Sequence, residues 1–467
     1  MIALLSHLRS ASSALRRRLG GEVAHALSGA ILIQVGAGVV AFAMLSVAAR
    51  TMSADEFGHL AMWLSITQMG AVIAVFGQEM FILRSLNQFG VAKEPALARG
   101  ALSYTGWIVA VLPLTCAVGM FLVGHYVLHE SVGLMLAAGL YLVANSIVGV
   151  GGHIARYARG LLLAEGTREL SWKTLTTLAL LVVIQFHSKI DAETFLLIAC
   201  ASIALALSVQ ITATVLALPR EVLRAVPMRR VGEWTRASFH LWVTSVLETL
   251  NQYFDVLVIY VLLDAPSAGV YFVATRIANA FGTLLSGAHV LATRRIPHLY
   301  FSKQIDEINR TFVSMAEVIL ICIVAGISAV VLGAHHMLAL FGPAFVDHNW
   351  VLIVLVTGTS IYAAGGPAST VLLICGHESK YPFVLAGNIA LRLAGFAILI
   401  PFFGLIGAAI AATVSLLVMA VVLNVICRRW TGIDPSVLCI VGQVRRWLAA
   451  RQAAVSASQP GAEGLPR

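Results

Sequence analysis

The chain has 467 residues, of which 59% are hydrophobic and 11% are charged, and its mean hydropathy is +0.89. Soluble domains carry about 25% charged residues, so this composition excludes a soluble globular protein. The formal net charge of +9 would suit a nucleic-acid partner, but the positions of the basic residues, given below, exclude that partner. The six cysteines are scattered without a Cys-x-x-Cys pair, so neither a zinc site nor a disulfide framework is predicted.

Apolar runs long enough to cross a hydrocarbon core, which takes about 20 helical residues, recur along the whole chain. The first begins near residue 27, behind a basic segment at 1–26, and it is too long for the apolar part of a signal peptide. We therefore predict an all-α polytopic membrane protein with twelve spans, at 27–49, 57–79, 101–124, 131–154, 170–186, 193–217, 238–263, 267–291, 312–334, 350–375, 382–400 and 405–427.

Basic residues alternate between the loops. If the N-terminus is cytoplasmic, the strongly basic segments all lie on the cytoplasmic side, namely 84–99, 156–173, 220–236, 294–310 and Lys380. The opposite loops are short and carry only Arg50 and Lys189. This bias follows the positive-inside rule rather than the pattern of a nucleic-acid surface. It predicts an N-in/C-in topology with a basic rim that suits anionic membrane lipids.

Two glycine-containing turns recur at one spacing. Gly58 and Gly269 are 211 residues apart in similar contexts, and Gly166 and Gly376 are 210 apart. This predicts parallel pseudo-repeats, two six-helix bundles at 27–217 and 238–427 around a central cavity, with ligands bound between them. A cytoplasmic linker at 218–237 would join them, and a basic tail with a disordered end would occupy 428–467. Chance recurrence of short turns is the alternative.

Polar residues form stripes on two of these apolar spans. Glu248, Asn251, Gln252 and Asp255 have i, i+3, i+4, i+7 spacing and share one helix face. The next span carries a second stripe, which consists of Arg276, Asn279, Thr283 and Ser286. Counted from a turn near residue 265, Asp255 is level with about residue 275, beside Arg276. Because ionisable groups within a membrane usually face a cavity or a partner, we expect the two stripes to meet.

Four segments of the chain carry family-like motifs. They are "AARTMSADEFG", "FDVLVIYVLLDAPSAGVYFVATRI", "LFGPAFVDHN" and "GHESKYPFVLAGNIALRLAGFAILIPFFGLIGAAIAATVS". Together they resemble the MOP flippase superfamily, in particular its polysaccharide-exporter branch of Wzx-like flippases. The resemblance implies a bacterial inner-membrane protein that moves undecaprenyl-diphosphate-linked oligosaccharides for surface polysaccharide synthesis by alternating access. The first span holds only Gln34 and no carboxylate, unlike the cation-coupled drug exporters of the superfamily.

The resemblance gives the buried charges a role. In one interpretation Asp255 and Arg276 form a structural salt bridge. In another, Arg276 binds the diphosphate and Asp255 holds it until the ligand arrives, and a third assigns proton coupling to Glu248 or Asp255. Arg392, with no acid in its own span, either binds substrate, snorkels, or pairs with Glu248 or Glu317. The substrate-binding candidates are Arg276, Arg392, Asp255, Glu248, Asn251, Gln252, Asn279, Arg50 and Arg84.

Two other functions remain open at this stage. A MATE-like cation-coupled exporter of drugs or metabolites would share the fold. A membrane glycosyltransferase, polymerase or ligase is disfavoured because the outer loops are too short to hold a catalytic site, so we expect no enzyme activity, cofactor or metal. The expected partners are the lipid-linked oligosaccharide, membrane lipids, H⁺ or Na⁺ as the coupling ion, and the polysaccharide polymerase or ligase, but no nucleic acid.

Overall fold

The structure is a computed structural model that describes residues 21–186, 190–285, 302, 305–375 and 380–439. All regular elements in these ranges are helical. In chain order they are α1 (Gly21–Thr51), α2 (Ala54–Ala74), α3 (Gln78–Ala92), α4 (Pro95–Tyr126), α5 (Val132–Arg159), α6 (Leu161–Phe186), α7 (Ala192–Ala217), α8 (Arg220–Arg224), α9 (Val231–Leu262), α10 (Ala265–Leu285), α11 (Ile305–Ala339), α12 (Pro343–Val346), α13 (Asn349–Ala364), α14 (Ala368–Ile374) and α15 (Tyr381–Thr431).

Each of the twelve predicted spans overlaps one of these helices. In the described part of the chain, eight helices are long and apolar enough to cross a membrane. The all-helical, multi-span fold class is therefore confirmed, while the number of crossings and the N-in/C-in orientation stay predictions. Three of the predicted segments lie largely or partly outside the described residues. They are the N-terminal segment (1–20 not described), the loop at 294–310 (286–301 not described) and the tail (440–467 not described).

Helix α15 contains two of the predicted spans. Its 51 residues would extend about 77 Å at 1.5 Å per residue, more than twice a hydrocarbon core of about 30 Å. Gly404 interrupts it with φ 56° and ψ −137°, three residues after Pro401. A Cβ on Gly407 would lie 2.4 Å from the carbonyl oxygen of Leu399, so the two segments, 381–403 and 405–431, pack closely at the break predicted between the spans.

The helices form two compact units. Unit 1 contains Met1–Val273 with Leu338–Val346, and unit 2 contains Ala274–Met337 with Asp347–Arg467. In unit 1, α5 packs against α4 and α7, α1 against α6, and α2 against α9. In unit 2, α15 packs against α13 and α14. The predicted bundles at 27–217 and 238–427 rest on the repeat spacing and stay predictions.

Inside unit 1, the two glycines that the repeat pairs with each other are in contact. A Cβ on Gly269 would lie 3.2 Å from the Cα of Gly58, and a Cβ on Gly58 would lie 1.8 Å from the carbonyl oxygen of Ala265. Near the other end of α2, the indole nitrogen of Trp242 donates to the carbonyl oxygen of Ile73 at 2.9 Å. Helix α2 therefore contacts α10 near Gly58 and α9 near Ile73.

Two segments predicted as loops are largely helical. Helix α2 ends at Ala74 rather than near 79, because Phe76 (φ 48°) and Gly77 (φ 70°) adopt left-handed conformations. Helix α3 then occupies much of the predicted loop at 84–99. The predicted loop at 156–173 is helical except at Gly160 (φ 88°), which separates α5 from α6. The charged residues of 161–173 therefore lie on a candidate span, and hydropathy alone had assigned them to a loop.

The contact at Gly58 predicts a destabilised Gly58→Ala variant. The added methyl would overlap a backbone carbonyl that belongs to a packed helix pair, and overpacking of this kind lowers the free energy of unfolding by about 2 kcal/mol. The matched control is Gly106→Ala, because a Cβ there meets nothing within 4 Å. Unfolding of the purified variants in detergent would measure both, and equal stability of the two would contradict the close packing.

Candidate functional site

The four residues of the polar stripe on α9 differ in their exposure. Glu248 and Gln252 are exposed and Asn251 is half-buried, whereas Asp255 is 8% exposed. The hydroxyl of Tyr271 donates to Oδ2 of Asp255 at 3.1 Å. Helices α9 and α10 are therefore neighbours through Asp255, as the stripes predicted, although Tyr271 lies one helical turn from the predicted position 275. The ion pair of Asp255 with Arg276 stays a prediction.

The two predicted cavity arginines of unit 2 have different environments. Arg276 on α10 is half-buried, and Asn279, one turn further along, is exposed. Arg392 is only 6% exposed, and its Nε donates to the hydroxyl of Ser415 at 3.0 Å. Since Ser415 belongs to the other segment of α15, Arg392 is enclosed between the two segments. Of the two arginines, Arg276 is the more exposed.

The two remaining candidates, Arg50 and Arg84, lie on helices of unit 1. Arg50 ends α1 and donates from Nε to the carbonyl oxygen of Leu340 at 2.7 Å and from Nη2 to that of Ala339 at 3.1 Å. It therefore holds the segment 338–346, which contains the "LFG" motif, within unit 1. Arg84 is exposed on α3. These contacts give Arg50 a structural role, whether or not it also adds positive potential along a substrate path.

A charged network within unit 1 was not predicted from the sequence. Arg168 on α6 lies 3.3 Å from Nε2 of His153 and 3.3 Å from a carboxylate oxygen of Glu169. The ammonium group of Lys173 binds the other oxygen of Glu169 at 2.7 Å. Glu79 on α3 belongs to the same network, with its carboxylate 4.0 Å from Nε2 of His153 on α5. The network joins α3, α5 and α6.

The backbone under this network is irregular. Residues Gly166–Ser171 form a π-helical turn, which inserts an extra residue and is frequent at functional sites. The buried Nδ1 of His153 and Oε1 of Gln210 have no hydrogen-bond partner among the described residues. The sequence did contain a signal for this network. Opposite charges at i, i+3 and i, i+4 indicate paired side chains on one helix face, and this spacing is found among Glu165, Arg168, Glu169 and Lys173.

Comparisons with known proteins support the fold. No family model and no curated protein matches the sequence. Among solved structures, a multidrug resistance MATE family transporter of the MOP superfamily in an inward-facing conformation has a TM-score of 0.71 at 14% identity, over 86% of this chain and 98% of that chain. An outward-facing structure described in the same words has a TM-score of 0.58 at 13% identity, over 88% of this chain and 96% of that chain.

A third structure shares the fold but carries a different functional description. It is a MOP superfamily transporter from Pyrococcus furiosus Vc1 (DSM3638), with a TM-score of 0.60 and 11% identity over 88% of this chain and 96% of that chain. The reversed polarity of its binding pocket is said to suggest a different function. The chain therefore has the fold seen in these MATE and MOP transporters, and this is the fold that the resemblance implied. Function must be argued from the residues.

The network of unit 1 makes a prediction about stability. Arg168→Met would leave Glu165 and Glu169 without their guanidinium partner, and breaking a largely buried ion pair of this kind should lower the free energy of unfolding by about 2 kcal/mol. Arg230→Met is the matched control, since Arg230 and Glu233 are 52% and 73% exposed and exposed pairs contribute about 0–1 kcal/mol. Detergent-based unfolding would compare them, and an unchanged Arg168→Met variant would contradict the network.

Proposed function

We propose that the chain is a flippase that moves undecaprenyl-diphosphate-linked oligosaccharides across the cytoplasmic membrane of a bacterium. The observation that carries the proposal is the charge of the helices of unit 2. The described spans of these helices are 274–285, 311–337, 349–374 and 381–427. Their sequence contains two arginines, Arg276 and Arg392, and one acidic residue, Glu317. An intramembrane excess of positive charge suits an anionic substrate.

Arg276 is the proposed contact for the diphosphate. A guanidinium presents a planar set of N–H donors that matches phosphate oxygens in a bidentate geometry, and Arg276 is accessible enough to make that contact. The amide of Asn279 lies on the same face and is exposed. Arg392 would act without touching the substrate, because a buried positive charge in a low-dielectric region contributes potential over several ångströms.

The α9 stripe is the proposed contact for the sugars. Glu248, Asn251 and Gln252 are all at least partly accessible, and together they offer carboxylate and amide groups that both accept and donate hydrogen bonds. Sugar hydroxyls require this mixture of donors and acceptors. Asp255, which is buried under the hydroxyl of Tyr271, would fix the helix pair rather than touch the sugar.

Export of drugs or metabolites is the second candidate. It is favoured by the fold, since the solved structures described above are of MATE and MOP transporters. Two features disfavour it. The first span lacks the carboxylate that is common in cation-coupled exporters of the superfamily. The positive charge of unit 2 would also repel cationic drugs. Efflux of cationic dyes from an exporter-deficient host would support it.

The first functional prediction concerns Arg276. In proteoliposomes loaded with an undecaprenyl-diphosphate oligosaccharide, Arg276→Gln should slow translocation by about 10- to 100-fold, because charge-assisted hydrogen bonds contribute roughly 1.5–3 kcal/mol. Arg276→Lys should give an intermediate rate, since it keeps the charge and loses the bidentate geometry. Arg236→Gln, at an exposed position early in α9, is the control. Translocation at the wild-type rate by Arg276→Gln would refute the assignment.

A charge exchange separates the two roles of Arg276. If Arg276 only pairs with Asp255, the double variant Asp255→Arg with Arg276→Asp should restore the translocation that each single variant loses. If Arg276 binds the diphosphate, the double variant should stay inactive although it folds, because a carboxylate now stands where phosphate must bind. Recovery of the wild-type rate would therefore exclude diphosphate binding by Arg276.

A further inference from the structure

A cavity of about 500 Å³ lies beside the last turn of α1, at the end of unit 1 that is predicted to face outwards. Its walls come from the end of α1, the start of α2 and the segment 338–346, which all belong to unit 1. Ten residues line it, and nine of them are apolar side chains or glycine. The tenth is Arg50, so the cavity combines apolar walls with one positive charge.

The walls of the cavity are fixed by buried aromatic contacts. Phe341 packs edge-on against Phe42 of α1, with ring centroids 4.7 Å apart. Phe345 packs in the same way against Phe57 of α2, with centroids 5.6 Å apart. Both Phe341 and Phe345 are buried. The segment 338–346 is therefore held on both helices, and the cavity between them is preformed.

The orientation of Arg50 is set by two main-chain carbonyls. Its Nε donates to Leu340 at 2.7 Å and its Nη2 donates to Ala339 at 3.1 Å. Both bonds use the edge of the guanidinium that Nε and Nη2 share. Because a guanidinium has five N–H donors, the edge formed by Nη1 and Nη2 is left for a ligand. Such an edge matches two oxygens of a phosphate or carboxylate in a bidentate geometry.

Within the described residues, no carboxylate pairs with Arg50. The nearest acidic residues along the chain are Asp55 and Glu56, in the first turn of α2. Glu56 accepts instead from the backbone N–H of Ala192 at 2.8 Å, and Asp55 is exposed. The two carbonyls are neutral groups, so they orient the guanidinium without neutralising it. An anion in the cavity would supply the counter-charge.

The lining of the cavity decides which anion fits. Ligand pockets of about 300–1,000 Å³ are mostly apolar with a few placed polar groups, and this cavity has both properties. An inorganic phosphate would leave its apolar walls against water. A phosphate that carries glycerol and hydrocarbon places its oxygens on Arg50 and its methylenes on the apolar walls. Since α1 ends at Thr51, Arg50 also lies at the predicted depth of the outer lipid headgroups.

We propose that this cavity binds the phosphate of a membrane phospholipid, held by the Nη1 and Nη2 edge of Arg50. The bound lipid connects α1, α2 and the segment 338–346 at the outer end of unit 1. This site goes beyond the proposed function, because it needs no lipid-linked oligosaccharide and uses neither Arg276 nor the stripe of α9.

Native mass spectrometry of the purified full-length protein tests the site, because it counts individual bound lipids. The wild-type protein should bind the first phosphatidylglycerol at least about tenfold tighter than a diacylglycerol with the same chains, which lacks the phosphate. Arg50→Gln should weaken binding of that phosphatidylglycerol by about 10- to 100-fold, as expected for charge-assisted hydrogen bonds. Arg236→Gln removes an exposed positive charge from α9, and this control should bind like the wild type.

A second variant leaves Arg50 in place, because Arg50→Gln also removes contacts to the segment 338–346. Ala344 lines the cavity and is exposed, so Ala344→Phe should fill the space without unfolding the protein. It should weaken binding of the first phosphatidylglycerol by at least about tenfold. Ala237→Phe is the matched control, since Ala237 is exposed on α9 and does not line the cavity.

Unchanged binding of phosphatidylglycerol in either Arg50→Gln or Ala344→Phe would overturn the proposal. Parallel titrations with inorganic phosphate and with undecaprenyl diphosphate identify the source of the phosphate. Arg50-dependent binding that is confined to either of these two probes would also overturn the assignment to a phospholipid. A protein that fails to translocate lipid-linked oligosaccharide would refute the proposed function, yet the titration with phosphatidylglycerol would still decide this site.

Discussion

A hydrocarbon environment offers no hydrogen bonds, so each polar group within a span must find its partner inside the protein. The described residues show this constraint at several depths. Tyr271 donates to the carboxylate of Asp255, and Ser415 accepts from the guanidinium of Arg392. In each case the partners come from different helical segments, so the polar contacts fix which segments are neighbours. Apolar surface alone would allow many arrangements.

The same constraint gives the two units different electrostatic characters. In unit 1, the charges of α6 form a network in which Arg168 and Lys173 offset the carboxylates near them. In the described spans of unit 2, two arginines outnumber one glutamate. The proposed function therefore assigns the anionic substrate to unit 2 rather than to unit 1. This division is the physical basis of the proposed function.

Hydropathy predicted the spans because length and apolarity are local properties of the sequence. The break in α15 was equally visible, since Pro401 and Gly404 stand between two apolar runs. The contact between Gly58 and Gly269 was not predicted, because the repeat makes them equivalent positions and says nothing about the distance between them. Hydropathy failed at α6, where the charges of 161–173 resembled those of a loop although helical spacing allowed them to pair.

The sites were harder to predict because they depend on register and on distant neighbours. Asp255 was predicted to be level with about residue 275, and the structure shows a hydrogen bond from Tyr271, one turn away, that no local pattern indicates. Arg50 and Leu340 are 290 residues apart in the chain, so no spacing rule could join them. The enclosure of Arg392 by Ser415 depends on how the two segments of α15 pack after the break.

The central claim is that the interior of this fold, in this chain, selects an acidic headgroup. Equilibrium binding of the purified protein to undecaprenyl diphosphate, to undecaprenol and to a cationic dye tests this directly, because the two lipids share a tail and differ only in the anionic diphosphate headgroup. The account predicts saturable binding of the diphosphate, at least about tenfold tighter than that of the alcohol, and no binding of the dye. Equal affinity for both lipids, or tight binding of the dye alone, would contradict it.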